Sequence, residues 1–163
     1  MVLTILKWLA LTFLALTLLA VLAGQFGFLR GKPPEDLGVG DGRLKAPSKT
    51  PNSVSSQAAL WPGHRQMAYA SIAPLALRGD GAATLARIRN IVSSMPGAVV
   101  VKSERDYIHA EFTTRVMKYT DDVELWFDPA AGVVQVRSAS RLGKGDFNAN
   151  RTRVEALRAA LSS

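Results

Sequence analysis

The chain has 163 residues, 48% hydrophobic and 20% charged, with a formal net charge of +7 and no cysteine. The length accommodates one domain of ordinary size, or a small domain with appendages, and the balance of apolar and charged residues excludes a disordered charged tail. The lack of cysteine excludes disulfides, thiolate-bound zinc, iron–sulfur clusters, redox motifs and thiol nucleophiles together, while leaving the compartment open.

From Trp8 to Leu29 runs a stretch of 22 residues without a charge, closed by Lys7 before it and by Arg30 and Lys32 after it. At about 1.5 Å per residue such a helix crosses a hydrocarbon core of roughly 30 Å, and Trp8 and Phe28 stand near its ends, where aromatic rings suit the lipid boundary. It is read as a retained single-pass anchor. The rival is a signal peptide cleaved after Val21-Leu22-Ala23; the apolar run continues past that point through Phe26 and Leu29, which favours retention. Orientation is contested. Arg30, Lys32, Arg43 and Lys45 outnumber Lys7 and the terminal amine, which puts the following domain in the cytoplasm, whereas the short amino tail and signal-like start argue for export.

Residues 30–66 contain five Gly, five Pro and four Ser and carry a net charge of +3. A stretch of this kind is not long regular helix or sheet. Residues 31–66 are read as a segment that wraps or tethers the domain of residues 67–163.

In that domain, Met67–Ala73 reads as a short strand ended by Pro74. Asp80 is placed to cap a helix in which Leu85, Ile88, Ile91, Val92 and Met95 recur at helical spacing, and Pro96-Gly97 stops it. Ala98–Lys102 is a Val-rich strand. Tyr107–Thr113 alternates, with Ile108, Ala110 and Phe112 on one face and Tyr107, His109 and Glu111 on the other. Val123, Leu125 and Phe127 alternate against Asp122, Glu124 and Trp126; a turn at Asp128–Gly132 leads to Val134 and Val136 alternating against Val133, Gln135 and Arg137. A last helix starts near Asn150, with Asn148 and Asn150 as its cap residues and Val154, Leu157 and Leu161 along one face. The order strand, helix, four antiparallel strands, helix gives a two-layer α+β domain behind an N-terminal transmembrane helix, an order of elements similar to one repeat of the TATA-binding-protein-like architecture.

Several stretches together resemble the domain of unknown function 1499 family. They are Leu37-Gly38-Val39 with Gly42-Arg43-Leu44, the run from Pro51-Asn52 to Gln57, Ile72-Ala73-Pro74-Leu75, His109-Ala110-Glu111-Phe112, Asp121-Asp122-Val123-Glu124, Val136–Arg141, and Asn150-Arg151 with Arg153 and Glu155. The resemblance covers roughly residues 37–160 and implies that residues 37–66 belong to the domain. It implies no reaction. Its bacterial members commonly begin with a hydrophobic segment and plant relatives are associated with chloroplast thylakoids, which tips the expected location to the bacterial inner membrane with a periplasmic domain, the cytoplasm-facing arrangement being the alternative. Two departures stand out. Pro47 and Ser53 occupy the slots of a cysteine pair that the family often carries, and Ala70 replaces a frequent histidine.

Chemical motifs mostly fail. Residues 67–163 carry only +3 and no nucleic-acid-binding signature, so nucleic acid is not expected as a partner. The chain has two histidines, and His109-Ala-Glu111 lacks the second histidine of a zinc helix. Gly38-x-Gly40-x-Gly42 does not open a helix, so it makes no phosphate cradle. Asp146-x-Asn148-x-Asn150 starts like a calcium loop, but Arg151 and Leu157 stand where glycine and glutamate are required. No metal and no cofactor are expected.

What remains is a charge contrast. Residues 104–128 carry −4 and residues 137–158 carry +4. Strand alternation aims His109 and Glu111 to one face and sets Glu124 and Arg137 on matching outward faces, with Arg141 and Arg151 just beyond the strand ends. This candidate polar face is read first as a ladder of exposed cross-strand ion pairs, each worth roughly 0.2–1 kcal/mol. Its functional alternative is a site where Arg137, Arg141 or Arg151 holds an anionic group. The reading favours a domain that binds a partner protein, a lipid or a small anion at the membrane surface, rather than an enzyme. The rival is a small hydrolase or lyase using His109 with Glu111 and Glu124.

Overall fold

The first helix, α1 (Val2–Gln25), begins earlier and ends earlier than the uncharged run. Lys7 is absorbed within its first two turns, and Gly27 ends it by adopting a left-handed φ of +85°. Its 24 residues extend about 36 Å. The most apolar window has a mean hydropathy of 2.3, and none of it is buried. The computed structural model, which describes all 163 residues, thus contains one helix long and apolar enough to cross a membrane.

Beyond it lies an antiparallel sheet covered on one side by two helices, the α+β arrangement read from the alternation. The remaining elements are β1 (Ser53–Ser55), a 3-10 turn (Ala58–Leu60), a single helical turn α2 (Met67–Ala70), β2 (Leu75–Ala76), α3 (Gly81–Ser94), β3 (Ala98–Ser103), β4 (Tyr107–Thr113), β5 (Thr120–Asp128), β6 (Val133–Ser140) and α4 (Ala149–Ser162). The sheet runs β1-β6-β5-β4-β3, and β2 pairs with β6 beside β1. From β2 onwards the order is strand, helix, four strands, helix. The additional strand β1 departs from the TATA-binding-protein-like order.

The core lies between one sheet face and the helices. Ile108, Ala110, Val123, Leu125, Val134 and Val136 project from the strands to meet Leu85, Ile88 and Val92 of α3 and Val154, Leu157 and Leu161 of α4. The Asp80 carboxylate caps α3 by accepting from the Ala83 amide at 2.7 Å.

Two local expectations are corrected, and one short strand was not anticipated. Met67–Ala73 is not a strand: the Ala70 amide bonds to Gln66 O and the Ser71 amide to Met67 O, closing one helical turn. Only Ala70 of that turn is buried, so there was no apolar face to alternate. The strand instead follows Pro74. The unanticipated strand, β1, is polar and carried no pattern; it is held by pairing with β6 and by its hydroxyls, which accept from the Ser48 and Gln57 amides. The second correction is that the capping group of α4 is Asp146. Its carboxylate accepts from the amides of Asn148 and Asn150, both at 3.1 Å. Asn148 stands at the N-cap position with φ +66° and no side-chain capping bond. Asn150 is fully buried and reaches across to Ser138, Ser140 and Asn52 O.

Candidate functional site

The face of the sheet turned away from the helices is built by the alternate residues Tyr107, His109 and Glu111 of β4, Asp122, Glu124 and Trp126 of β5, and Gln135, Arg137 and Ala139 of β6. The register sets His109 opposite Glu124, Glu111 opposite Asp122, and Glu124 opposite Arg137. The facing of Glu124 on Arg137 is the one the alternation predicts.

The expected exposure of this face is not observed. Residues 38–46 lie across it. Leu44 packs with Tyr107 and Trp126 as a second small core, the Gly38 amide donates to Glu124 Oε1 at 2.8 Å, and Ala46 O accepts from Arg137 Nε at 3.2 Å. Glu124 is left with 0% of its surface exposed, Asp122 with 1% and Arg137 with 4%. The ion pairs are therefore buried, and losing one partner strands the other in a low-dielectric site.

Two carboxylates organise the face. Glu124 accepts from Tyr107 Oη at 2.9 Å and from Arg137 Nη1 at 3.2 Å, besides the Gly38 amide. Asp122 takes a two-pronged contact from Arg141, whose Nε and Nη2 donate at 2.8 and 2.7 Å, and a bond from His109 Nε2 at 2.8 Å. An ionised carboxylate only accepts, so Nε2 of His109 is the donor in this bond. Arg141 Nη2 also donates to Glu111 at 2.5 Å. Glu111 thus meets Arg141 and not Arg137. Arg151 lies elsewhere, with Nη2 on Tyr69 O and Ser71 O.

The protonation states follow from these contacts. Burial pushes the Asp122 carboxyl up, but the bonds from Arg141 and His109 outweigh it and hold the group below the usual carboxylate range. Burial, with the adjacent charge of Glu124 and the bond to it, pushes the Tyr107 phenol well above its ordinary value, so it stays a neutral donor. The bond to Asp122 foremost, and that to Glu111, drive the Arg141 guanidinium further up.

The edge of this face opens into a cavity of about 380 Å³ whose charged lining is Lys32, Lys45, Lys49, Arg137, Arg141 and the single acid Asp122. Pro47, Ser48, Ala139 and Ser140 complete much of the wall. Lys45 pairs with Asp36. Lys32 and Lys49 have no acidic partner within 4.0 Å. Both arginines are largely committed, yet each keeps one nitrogen without a protein acceptor: Nη2 of Arg137 and Nη1 of Arg141 make no bond to the chain. Such a cavity holds cation donors in excess of protein acceptors, the requirement for receiving an anion. His109, Glu111 and Glu124 are not among its lining residues. Each of them is already bonded elsewhere, His109 to Asp122, Glu111 to Arg141, and Glu124 to Tyr107, Arg137 and the Gly38 amide.

Of the six residues singled out from the sequence, five lie in this network and Arg151 does not. Asp122, the hub, was placed on the correct face but not selected, although its alternation with Glu124 was the available signal. The lysines carried no signal, because their position depends on the path of an irregular segment. The motif residues outside the face also converge. Arg153 donates to Asp121 at 2.6 Å and to Ser138 Oγ and Asn150 Oδ1, and Asn150 Nδ2 reaches Asn52 O, a buried brace between β1, β6 and α4.

A family model described as "Protein of unknown function (DUF1499)" matches residues 43–161. No curated protein and no solved structure matches the chain.

Proposed function

The chain belongs to the family of proteins of unknown function DUF1499, and from that premise and the geometry of its polar face we propose that it is a membrane-anchored domain binding an anionic group, phosphate or carboxylate, beside the bilayer. The observation that carries the reading is the basic cavity, where two nearly buried guanidiniums each keep a free N–H group beside Lys32 and Lys49. Because Asp122 and Glu124 already fix both arginines, their unspent donors are held in place before any ligand arrives. The alternative chemistry through His109 lacks support in the arrangement: its one bonded nitrogen serves Asp122, and Glu111 and Glu124 are occupied by Arg141 and Arg137. The proposed location is the bacterial inner membrane, α1 serving as a retained anchor and the domain facing the periplasm.

The test uses the full chain in detergent, titrated with inorganic phosphate, glycerol phosphate and acetate while thermal unfolding is followed. A saturable rise in melting temperature with one of these anions, lost in the Lys32→Gln, Lys49→Gln double variant, is the expected result. No rise with any of them, or a rise unaffected by the double variant, refutes the proposed site. A C-terminal alkaline-phosphatase fusion, active only outside the cytoplasm, tests the orientation.

A further inference from the structure

The β4–β5 turn, Thr114-Arg115-Val116-Met117-Lys118-Tyr119, has a composition its place in the sheet does not require. Val116 is 54% exposed and Tyr119 40%, though β4 and β5 on either side bury almost every side chain. The turn is well formed rather than loose. The Thr114 amide bonds to Tyr119 O, Thr114 Oγ1 accepts from the Tyr119 amide, and Lys118 turns the chain at φ +60°.

Its position is fixed against the end of α1. Gln25 Nε2 donates to Val116 O at 2.9 Å. Gly24 is buried against Met117, so closely that a Cβ there would lie 2.5 Å from Met117 O. The tip of the turn therefore stands level with the last residues of the apolar helix. Around it lie further exposed apolar groups, Phe26 and Phe28 just after α1, and Leu142 against Gly31. Residues 26–34, 114–119 and 141–145 together carry six bases, Arg30, Lys32, Arg115, Lys118, Arg141 and Lys144, and no acid.

We infer that the 114–119 turn is a membrane foot, seating Val116 and Tyr119 in the headgroup layer of an anionic bilayer next to the point where α1 leaves it. The inference rests on the reading of α1 as a retained anchor. Apolar tips with an aromatic residue suit the interfacial zone, and flanking lysine and arginine meet anionic headgroups. The foot holds the domain against the surface, so that the cavity containing Lys32 opens near the lipid headgroups.

Because the chain has no cysteine, each introduced one is unique. The full chain carrying Leu16→Cys, Val116→Cys or Ala131→Cys is labelled with a small environment-sensitive fluorophore. Each is reconstituted in nanodiscs of phosphatidylcholine, with or without phosphatidylglycerol, using bromine-bearing acyl chains as quencher. Position 16 reports on α1, and position 131 lies in the turn at the far end of β5. The expected result is strong quenching at 16, several-fold stronger quenching at 116 than at 131, and an increase at 116 when phosphatidylglycerol is present. Removing both bases, Arg115→Gln with Lys118→Gln, should lower the seated-to-lifted ratio by about ten- to thirtyfold. Quenching at 16 with 116 no different from 131 overturns the foot while leaving the anchor intact. No quenching at 16 overturns the anchor and the foot together. Quenching at 116 that ignores both phosphatidylglycerol and the two bases overturns the role assigned to anionic lipid.

Discussion

Replacing Arg137 by methionine removes a buried cation from Glu124 while keeping most of the packing volume. The carboxylate is left fully buried with two neutral donors, Tyr107 Oη and the Gly38 amide, and Ala46 O loses its partner. Breaking a buried pair from one side costs about 3–5 kcal/mol, and the two surviving bonds place this case near the lower end, about 3 kcal/mol. Glu124→Gln makes the complementary cut. The amide oxygen still accepts from Tyr107 and Gly38, but Arg137 becomes an unpaired buried cation, again about 3 kcal/mol. The double variant strands no charge and should cost only about 1–2 kcal/mol, chiefly from weakened neutral bonds. The coupling is then about 4 kcal/mol. Thermal unfolding of the full chain in detergent, followed through Trp126 beside the network, should show single-variant losses of roughly 6–12 °C and a milder double variant. Additivity within about 0.5 kcal/mol would mean that the two side chains do not interact, and the β5–β6 register together with the covering segment would be wrong.

The Asp122 carboxyl is held below its ordinary value, so its contribution is present at pH above about 4 and is lost as pH falls through the folded pKa. Asp122→Asn should therefore be less stable than the parent at neutral pH, and the gap should close towards pH 2 in acid unfolding; a gap independent of pH contradicts the assignment. Arg151→Gln should cost no more than about 1–2 kcal/mol and leave anion binding intact, since its bonds go to Tyr69 O and Ser71 O outside the cavity. Lys49→Gln should do the reverse, with unchanged melting and weakened binding, as measured by the phosphate titration. Gly97→Ala should cost several kcal/mol, because residue 97 has φ +76° and a Cβ would lie 2.3 Å from Thr113 O; an unchanged melting temperature would refute that close approach.

The sequence was legible where side chains repeat with the period of their backbone. The alternation in β4, β5 and β6 separated Ile108 from His109 and Leu125 from Glu124, and the helical spacing of Leu85, Ile88 and Val92 marked α3 together with its Asp80 cap. Legibility failed where no period exists. Ser53–Ser55 is a strand by partnership with β6, not by pattern. What covers the polar face was equally hidden. A chain rich in Gly and Pro leaves no trace of its path, yet that path decides whether Glu124 is a surface acid or a fully buried one. Alternation supplied the facing of Glu124 on Arg137 correctly and the medium around them wrongly, which shifts their coupling from tenths of a kilocalorie to several.

The segment that leads away from α1 is also a wall of the cavity, since Lys32, Pro34 and residues 45–49 line it. A linker used in this way has no slack to spend on reach. With α1 retained in the membrane, as proposed, the domain cannot sample a wide hemisphere as a particle on a flexible leash would, and whatever the proposed site meets must come to it within a thin slab next to α1. Encounter then becomes a search in two dimensions for any ligand that itself travels in that slab, and a molecule free in the bulk gains no such advantage. The stretch between Arg30 and Lys45 sets the height of that slab, so lengthening it would change which molecules the domain meets without altering a single group that contacts them.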